Sequence, residues 1–469
     1  MQQFRMTRLL PVACLCLAAS LSAQSTMPPP ADQQLARDID KQFIEIKSGY
    51  TTGATTPVAE AAAARLRAAG FPDADIFLGG PIPTKFNLVV RLHGSGAHRP
   101  ILLLAHEDVV EAKREDWSPG LDPFVFTEKD GYFYGRGTSD DKDQAAVWIA
   151  NLIRMKRENF VPDRDIIVAL TADEEGGGPY SGIQWLLKNH RDLIDAEYAL
   201  NEGGYGEISH GKKIANDIQA GEKFMVSFRF EVHNKGGHSS LPIPDNAIYH
   251  LAGALTRLAD YGFPLKTNDA TNAYFHQMDR IETGPAGLAL EGFDGSKTSL
   301  QRAAAASPTW NSMLRTTCVA TQLEGGHALN ALPQLAAANI NCRVLPEDSV
   351  EYVRQTLTRI VADPQVSITI LGEVHQAPGS PLRPELMSAM TTTTQREWPG
   401  VPVVPIMVPY ATDGAYLRAA GIPTYGIQGF FMDRDDIRFH GRDERLLVTS
   451  FYEGQQFLYD LVKTLSSSH

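Results

Sequence analysis

The stretch "TADEEGGG", residues 171 to 178, sets Asp173, Glu174 and Glu175 at the end of the almost wholly apolar run "DIIVAL". Neighbouring carboxylates repel, so such a cluster needs cations or tight partners. Groups of the same kind recur along the chain. "LLLAHED" supplies His106 and Asp108, "YGRGTSDDKD" supplies Asp140 and Asp141, "YALNEGG" supplies Glu202 and "IRFHGRDE" supplies His440. Each reads as the exit of a strand or the start of a helix, where α/β sheets gather functional groups. Two imidazoles among several carboxylates make a donor set for two divalent metal ions, Zn2+ first, with Co2+ or Mn2+ as alternatives. Singly, each piece is weak. An H-x-D is usually a surface pair, "DDK" a helix cap and "DEEGGG" an acidic turn. Their joint occurrence, in one chain order, is what points to a metal site.

The elements that must position these groups alternate. Helical periodicity in "DQQLARDIDKQFIEIKS", "AAVWIANLIRMKREN" and "SGIQWLLKNHRDLI" interleaves with strands in "NLVVRL", "ILLLAH", "DIIVALTA" and "AEYALN". This order predicts an α/β layered fold with a mostly parallel sheet. The wholly apolar runs predict strands covered on both faces. Residues 221–375 change character. "KFMVSFRFEVH", "NAIYHLAGALTRLADYG", "TTCVATQLEGG", "QLAAANINCRVL", "SVEYVRQTLTRIVA" and "VSITILG" give the order β-α-β-β-α-β of a ferredoxin-like unit. Residues at about 262–315 fit none of it and read as an insertion. Alternation returns after Pro378. The expected layout is therefore a first catalytic part at 32–220, a lid at 221–375 and a second catalytic part at 376–469.

The chain has 469 residues, a hydrophobic fraction of 43% and a net charge of −12 without a basic block, which argues against nucleic acid as partner. Residues 1–23 read as an export signal, with Arg5 and Arg8, the apolar "LLPVACLCLAASLSA" and a Pro-rich sequel. Export to a periplasmic or secreted location is the expectation, with no stable membrane span after cleavage. The mature chain then keeps Cys318 and Cys342, and an oxidising compartment permits one bridge between them.

With these motifs the sequence resembles the M20 metallopeptidases, the family of glutamate carboxypeptidase, carboxypeptidase S and aminoacylase. The resemblance rests on "AHEDVV", "YGRGTSDDKD", "TADEEGGG", "LNEGG", "GGHSSLP", "GGHALNALP" and "FHGRDER", and spans nearly the whole mature chain. It implies that His106 and Glu202 hold one metal, Glu175 and His440 the other, and that Asp140 bridges them. It makes Glu174 the general base and Asp108 the residue that orients His106. It assigns His238 to the oxyanion, Asn330 and Arg343 to substrate, and the lid to a homodimer. Asp173 receives no catalytic role. Glu202 stands where many members have Asp, and Asp143 where a glycine is usual.

The resemblance implies hydrolysis of amide bonds, in a peptide by a carboxypeptidase or dipeptidase or in an N-acyl amino acid by a deacylase. An M28-type aminopeptidase has a similar ligand order but lacks a large lid between the fourth ligand and the last histidine. A non-catalytic binding protein would have lost a ligand or the base, and none is missing.

Overall fold

The computed structural model describes residues 27–467. The expected export signal lies outside them. The apolar runs "ILLLAH" and "IIVALT" become the strands Ile101–His106 and Ile166–Thr171, buried at every position. Leu103, Ala105, Val168 and Leu170 point into one core; Leu102, Leu104, Ile167 and Ala169 point into a second on the opposite face. The period-two alternation of side chains thus feeds two apolar layers, which is why no polar residue interrupts the runs.

The large sheet has ten strands. Its order runs Ile76–Gly79, Asn87–Leu92, Ile166–Thr171, Ile101–His106, Tyr198–Asn201, Thr424–Gly426, Lys212–Glu222, Gly206–Ser209, Phe431–Asp433, and Val403–Val408 also pairs with Lys212–Glu222. The four strands from Ile166–Thr171 to Thr424–Gly426 are mutually parallel, and antiparallel pairs flank them. The mostly parallel centre matches the sequence reading. In register, His106 lies opposite Thr171 and Leu103 opposite Leu200. The carboxyl ends of these strands therefore open onto one place.

Helix Lys142–Arg157 crosses this sheet almost wholly buried. The Trp148 indole N–H donates to the Leu104 carbonyl at 3.1 Å. The Lys142 ammonium donates to the carbonyls of Phe43 and Ile46, both at 2.8 Å, closing the end of helix Pro30–Ile44.

A second sheet of four antiparallel strands has the order Thr317–Gly325, Leu335–Val344, Phe224–His233, Val366–Leu371. Helices Ala247–Ala259 and Val350–Val361 pack on it around Phe228, Phe230, Leu251, Ile340 and Leu357. Connectivity and strand order are those of a ferredoxin-like unit. Cys318 and Cys342 face each other across neighbouring strands and are disulfide-bonded, with Cα atoms 4.0 Å apart.

The insertion differs from expectation in where it packs. Its helices Asp269–Ile281, Gly284–Leu290, Lys297–Ala306 and Pro308–Met313 bury Tyr274, Phe275, Leu290 and Trp310 against Ala215, Val404, Ile406 and Val408. These partners lie on the large sheet. The segment leaves the four-stranded unit to cover an apolar face that the large sheet's own helices do not reach.

Candidate metal centre and cleft

Three carboxyl ends deliver His106, Glu174 with Glu175, and Glu202. Asp140 comes from the turn before helix Lys142–Arg157. His440 also lies in a turn, between Phe431–Asp433 and Arg445–Leu447, not at a strand exit as its apolar lead-in suggested. Two side chains unassigned in the sequence reading fix these turns together. Arg136 pairs with Glu444 in the interior. Arg136 also donates to the carbonyls of His440 and Gly441 at 3.0 and 3.1 Å. Glu444 accepts the amides of Gly137 and Ser139 at 2.9 and 3.1 Å. Both residues stand inside the motifs "YGRG" and "GRDE", the only signal that could have found them.

The five expected ligands form two groups sharing Asp140: His106, Asp140 and Glu202; and Asp140, Glu175 and His440. His106 Nε2 lies 3.1 Å from Asp140 Oδ1 and 3.8 Å from Glu202 Oε1. His440 Nε2 lies 2.9 Å from both Asp140 Oδ2 and Glu175 Oε1. Donors about 2.0–2.1 Å from a tetrahedral ion stand about 3.4 Å apart, so these spacings fit. Glu175 Oε1 is buried without a hydrogen bond although His440 Nε2 is close: two acceptor atoms face a common point. The donor set and this orphaned oxygen fit two divalent cations.

The electrostatics agree. Asp140 and Glu175 beside the His440 ring push it up to about 10. Burial lowers the His106 pKa, but the Asp140 contact and the charges of Glu202 and Glu174 outweigh it and raise it. Burial, then Glu202, pushes Glu174 well above the usual carboxylate range, and burial does the same to Glu202. Cations in the two groups act in the opposite direction, favouring the charged carboxylates.

Asp108 meets the second ring nitrogen of His106 as expected, but with its backbone carbonyl rather than its carboxylate. The His106 Nδ1 faces the Asp108 backbone carbonyl at 2.9 Å, with the carboxylate at 3.8 Å. That carbonyl sets the tautomer and leaves Nε2 for the cluster. The Asp108 carboxylate instead accepts the amides of Glu174 and Glu175, both at 3.0 Å. It fixes the backbone of the candidate base and its neighbour because a carboxylate can take two parallel N–H bonds. Asp141 does not cap its helix with its side chain; it accepts the His106 amide at 3.3 Å. Asp173, in the left-handed region at φ 63°, pairs with Lys85 at 3.0 Å, both buried. After Glu202, a Cβ on Gly204 would stand 2.2 Å from the Gly426 carbonyl oxygen, so only glycine fits there.

A cleft of about 620 Å³ opens beside the cluster, lined by Glu174, Glu175, Met225, Arg343, Tyr410 and Tyr416 among others. Arg343 makes no hydrogen bond or ion pair among the described residues. His238 and Asn330 are not in this lining. They sit together on a small ribbon, strand Gly237–His238 against Ala331–Leu332, both exposed. The Asn330 carbonyl accepts the Ser239 amide at 3.0 Å. His238 Nδ1 faces the Ser240 hydroxyl at 2.7 Å. Of the three residues expected at the substrate, the chain brings Arg343 alone to its own cleft. Tyr410 and Tyr416 were missed, since a tyrosine in "VPYATDGAY" carries no spacing signal.

Residues 102–464 match the profile of peptidase family M20/M25/M40. The human N-fatty-acyl-amino acid synthase/hydrolase PM20D1 is 28% identical over 374 residues, 78% of this chain and 74% of that protein. The M20 family metallo-carboxypeptidase Sso-CP2 of Sulfolobus solfataricus superposes with TM-score 0.68 at 16% identity, covering 91% of this chain and 98% of its own. The Bacillus subtilis YXEP protein, a dinuclear metal-binding M20 peptidase, gives TM-score 0.62 at 12% identity, covering 93% and 99%. The profile match takes in all five clustered ligands and Glu174, and the chain belongs to peptidase family M20/M25/M40 as an amide-bond hydrolase.

Proposed function

We propose that the protein cleaves the amide bond next to a free carboxylate, as a carboxypeptidase or dipeptidase. The observation that carries this is Arg343, an unpaired guanidinium lining the same cleft as Glu174 and Glu175. A planar N–H fork suits a substrate carboxylate. His106, Asp140 and Glu202 would hold one cation and Asp140, Glu175 and His440 the other. Zinc is the proposed ion, as mixed imidazole and carboxylate donors suit it. Two such ions supply Lewis-acid polarisation of the scissile carbonyl and a lowered pKa for water. Glu174 takes the proton of the attacking water and delivers it to the leaving nitrogen. Asp108 holds Glu174 in place through its backbone amide.

A second reading, deacylation of N-acyl amino acids, is favoured by the apolar wall of Phe224, Met225, Tyr410 and Tyr416 and by the relative that bears an N-fatty-acyl-amino acid activity in its name. Both readings share the leaving amino acid. They differ in whether the acyl side carries an ammonium group.

Assembly and location follow the same reading. His238 and Asn330 stand outside their own cleft, so we assign them to the site of a partner subunit. The edge strand Thr317–Gly325 supports such a dimer, with Val319 and Leu323 exposed along an unpaired side. The Cys318–Cys342 bridge and the N-terminal pattern support export to an oxidising compartment.

The test is a set of three substrates with one leaving amino acid: a dipeptide, an N-acyl amino acid and the amidated form of either. Amidation should lower kcat/KM by about tenfold or more, the loss of one charge-assisted contact. Equal kcat/KM with and without the carboxylate would contradict the proposal. The ratio between the first two substrates separates the two readings.

A further inference from the structure

Tyr410 stands between two cavities. It lines the cleft that holds Glu174, Glu175 and Arg343. It also lines a smaller cavity, about 50 Å³, with Asp140, Glu202 and Gln428. Tyr410 thus borders both the cavity of the candidate base and that of the carboxylates of the first ligand group. Its hydroxyl makes no hydrogen bond among the described residues. Tyr410 is 42% exposed and borders the open cleft, so its unpaired O–H is accessible to a bound substrate.

The support beneath it is rigid. Tyr410 occupies the bend between Val403–Val408 and Gly414–Ala419. Two residues on, the Thr412 hydroxyl donates to Glu222 at 3.0 Å and accepts from Asn201 at 3.2 Å. Glu222 is in turn paired with buried Arg418 at 2.7 Å. Asp413 accepts the Thr171 hydroxyl at 2.7 Å, tying the bend to the end of the strand that leads to Glu174. A donor that must meet a developing charge gains from being held in advance in this way.

We propose that Tyr410 is a catalytic residue whose phenolic O–H donates to the scissile carbonyl oxygen as charge develops on it. The inference rests on the amide hydrolysis proposed above. The water oxygen adds to the carbonyl carbon and its proton passes to Glu174. The carbonyl π pair moves onto oxygen, where Tyr410 donates to it. The pair returns as the C–N bond breaks, and Glu174 gives the proton to the leaving nitrogen. Tyr410 keeps its own proton throughout. The donor lies in the same chain as the base, whereas His238 sits on an exposed ribbon.

Tyr410→Phe keeps the ring and removes only the O–H. In the metal-loaded enzyme it should lower kcat by about 10²–10³-fold while KM moves by less than about threefold, with metal content and Tm unchanged. Affinity for a phosphinate analogue, whose tetrahedral oxygens mimic the addition product, should fall by the same factor as kcat/KM. A kcat within about twofold of wild type, or a fall in kcat with unchanged phosphinate affinity, overturns the proposal. Loss of metal from the variant also overturns it, since Tyr410 would then act by positioning ligands. A wild type that cleaves no free-carboxylate amide sinks the hydrolytic reading and this one together. An active wild type matched by Tyr410→Phe sinks this one alone.

Discussion

The carboxyl edge of the large sheet and the ribbon that carries His238 hold similar residue types under opposite conditions. At the sheet edge, His106 is buried, Asp140 and Glu202 are half-buried, and the turns carrying Glu174, Glu175, Asp140 and His440 are pinned by Asp108, Glu444 and Arg136. On the ribbon, His238 and Asn330 are exposed, and the contacts that hold them, the Ser239–Asn330 backbone bond and the Ser240 hydroxyl, lie within the ribbon itself. Groups that hold cations must be fixed before anything binds, because misplaced carboxylates repel. Groups that meet substrate can come from a second unit, and the Arg343 strand is where that unit reaches the cleft. The first region should therefore fail all at once when cut, and the second by degrees.

The largest effect expected is from Asp140→Ala. Asp140 belongs to both ligand groups, so the variant should lose both ions and fall to the uncatalysed background. Metal analysis with a turnover assay checks it, and retention of one ion would mean that Asp140 is not shared. Glu174→Ala should keep both ions and lose about 10²–10⁴-fold in kcat, the usual cost of removing a general base. If it loses metal instead, the roles of Glu174 and Glu175 are exchanged.

His238→Ala should cost about 10²–10³-fold in kcat with metal content and folding intact. Mixing it with Glu174→Ala subunits should restore activity, because one mixed site has both groups. No recovery in a verified mixed dimer would confine the histidine to its own chain. Replacing Cys318 and Cys342 by Ala should destabilise the four-stranded unit by about 3 kcal/mol and leave the metal content unchanged. A matching loss of metal would couple the two regions more tightly than their contacts suggest.

The smallest effect concerns the interior behind the site. Asp40 is buried with neither oxygen hydrogen-bonded, and burial pushes it up to about 8 against the pull of Lys142 and Arg37. Its folded pKa exceeds the unfolded one, so the native state binds more protons between about pH 4 and 8. Stability from this group is present below pH 4 and lost as pH rises through 8. Asp40→Asn should flatten that decline and raise Tm by a few degrees at about pH 8.5, read by thermal melts across pH. An unchanged slope would show that Asp40 does not titrate in that window.

The convergence of His106, Glu174, Glu175 and Glu202 was legible in the sequence because parallel buried strands announce themselves as unbroken apolar runs, whereas the ligand roles of Asp140 and His440, which lie in turns, came from the family resemblance. The four-stranded unit was legible because its strands and helices keep clean periods. Strand Lys212–Glu222 was not. Its buried Asn216 and Gln219 donate their side-chain N–H groups to Thr394 and Glu222, so "KKIANDIQAGE" carries no apolar alternation. The packing of the 262–315 helices was hidden for a related reason: periodicity says that a helix has an apolar face, not which sheet receives it. Asp108 shows the same limit at one residue. The family resemblance implied that it orients the His106 ring; the backbone carbonyl makes that contact and the carboxylate turns to the Glu174 and Glu175 amides.

The most direct test follows the hydrolysis of one free-carboxylate amide substrate while metal is stripped by a chelator and Zn2+ is returned in steps. The expected result is no turnover in stripped protein and recovery that saturates at two ions per chain. Full turnover in the stripped protein, or saturation without bound ions, would contradict a metal centre built on His106, Asp140, Glu175, Glu202 and His440.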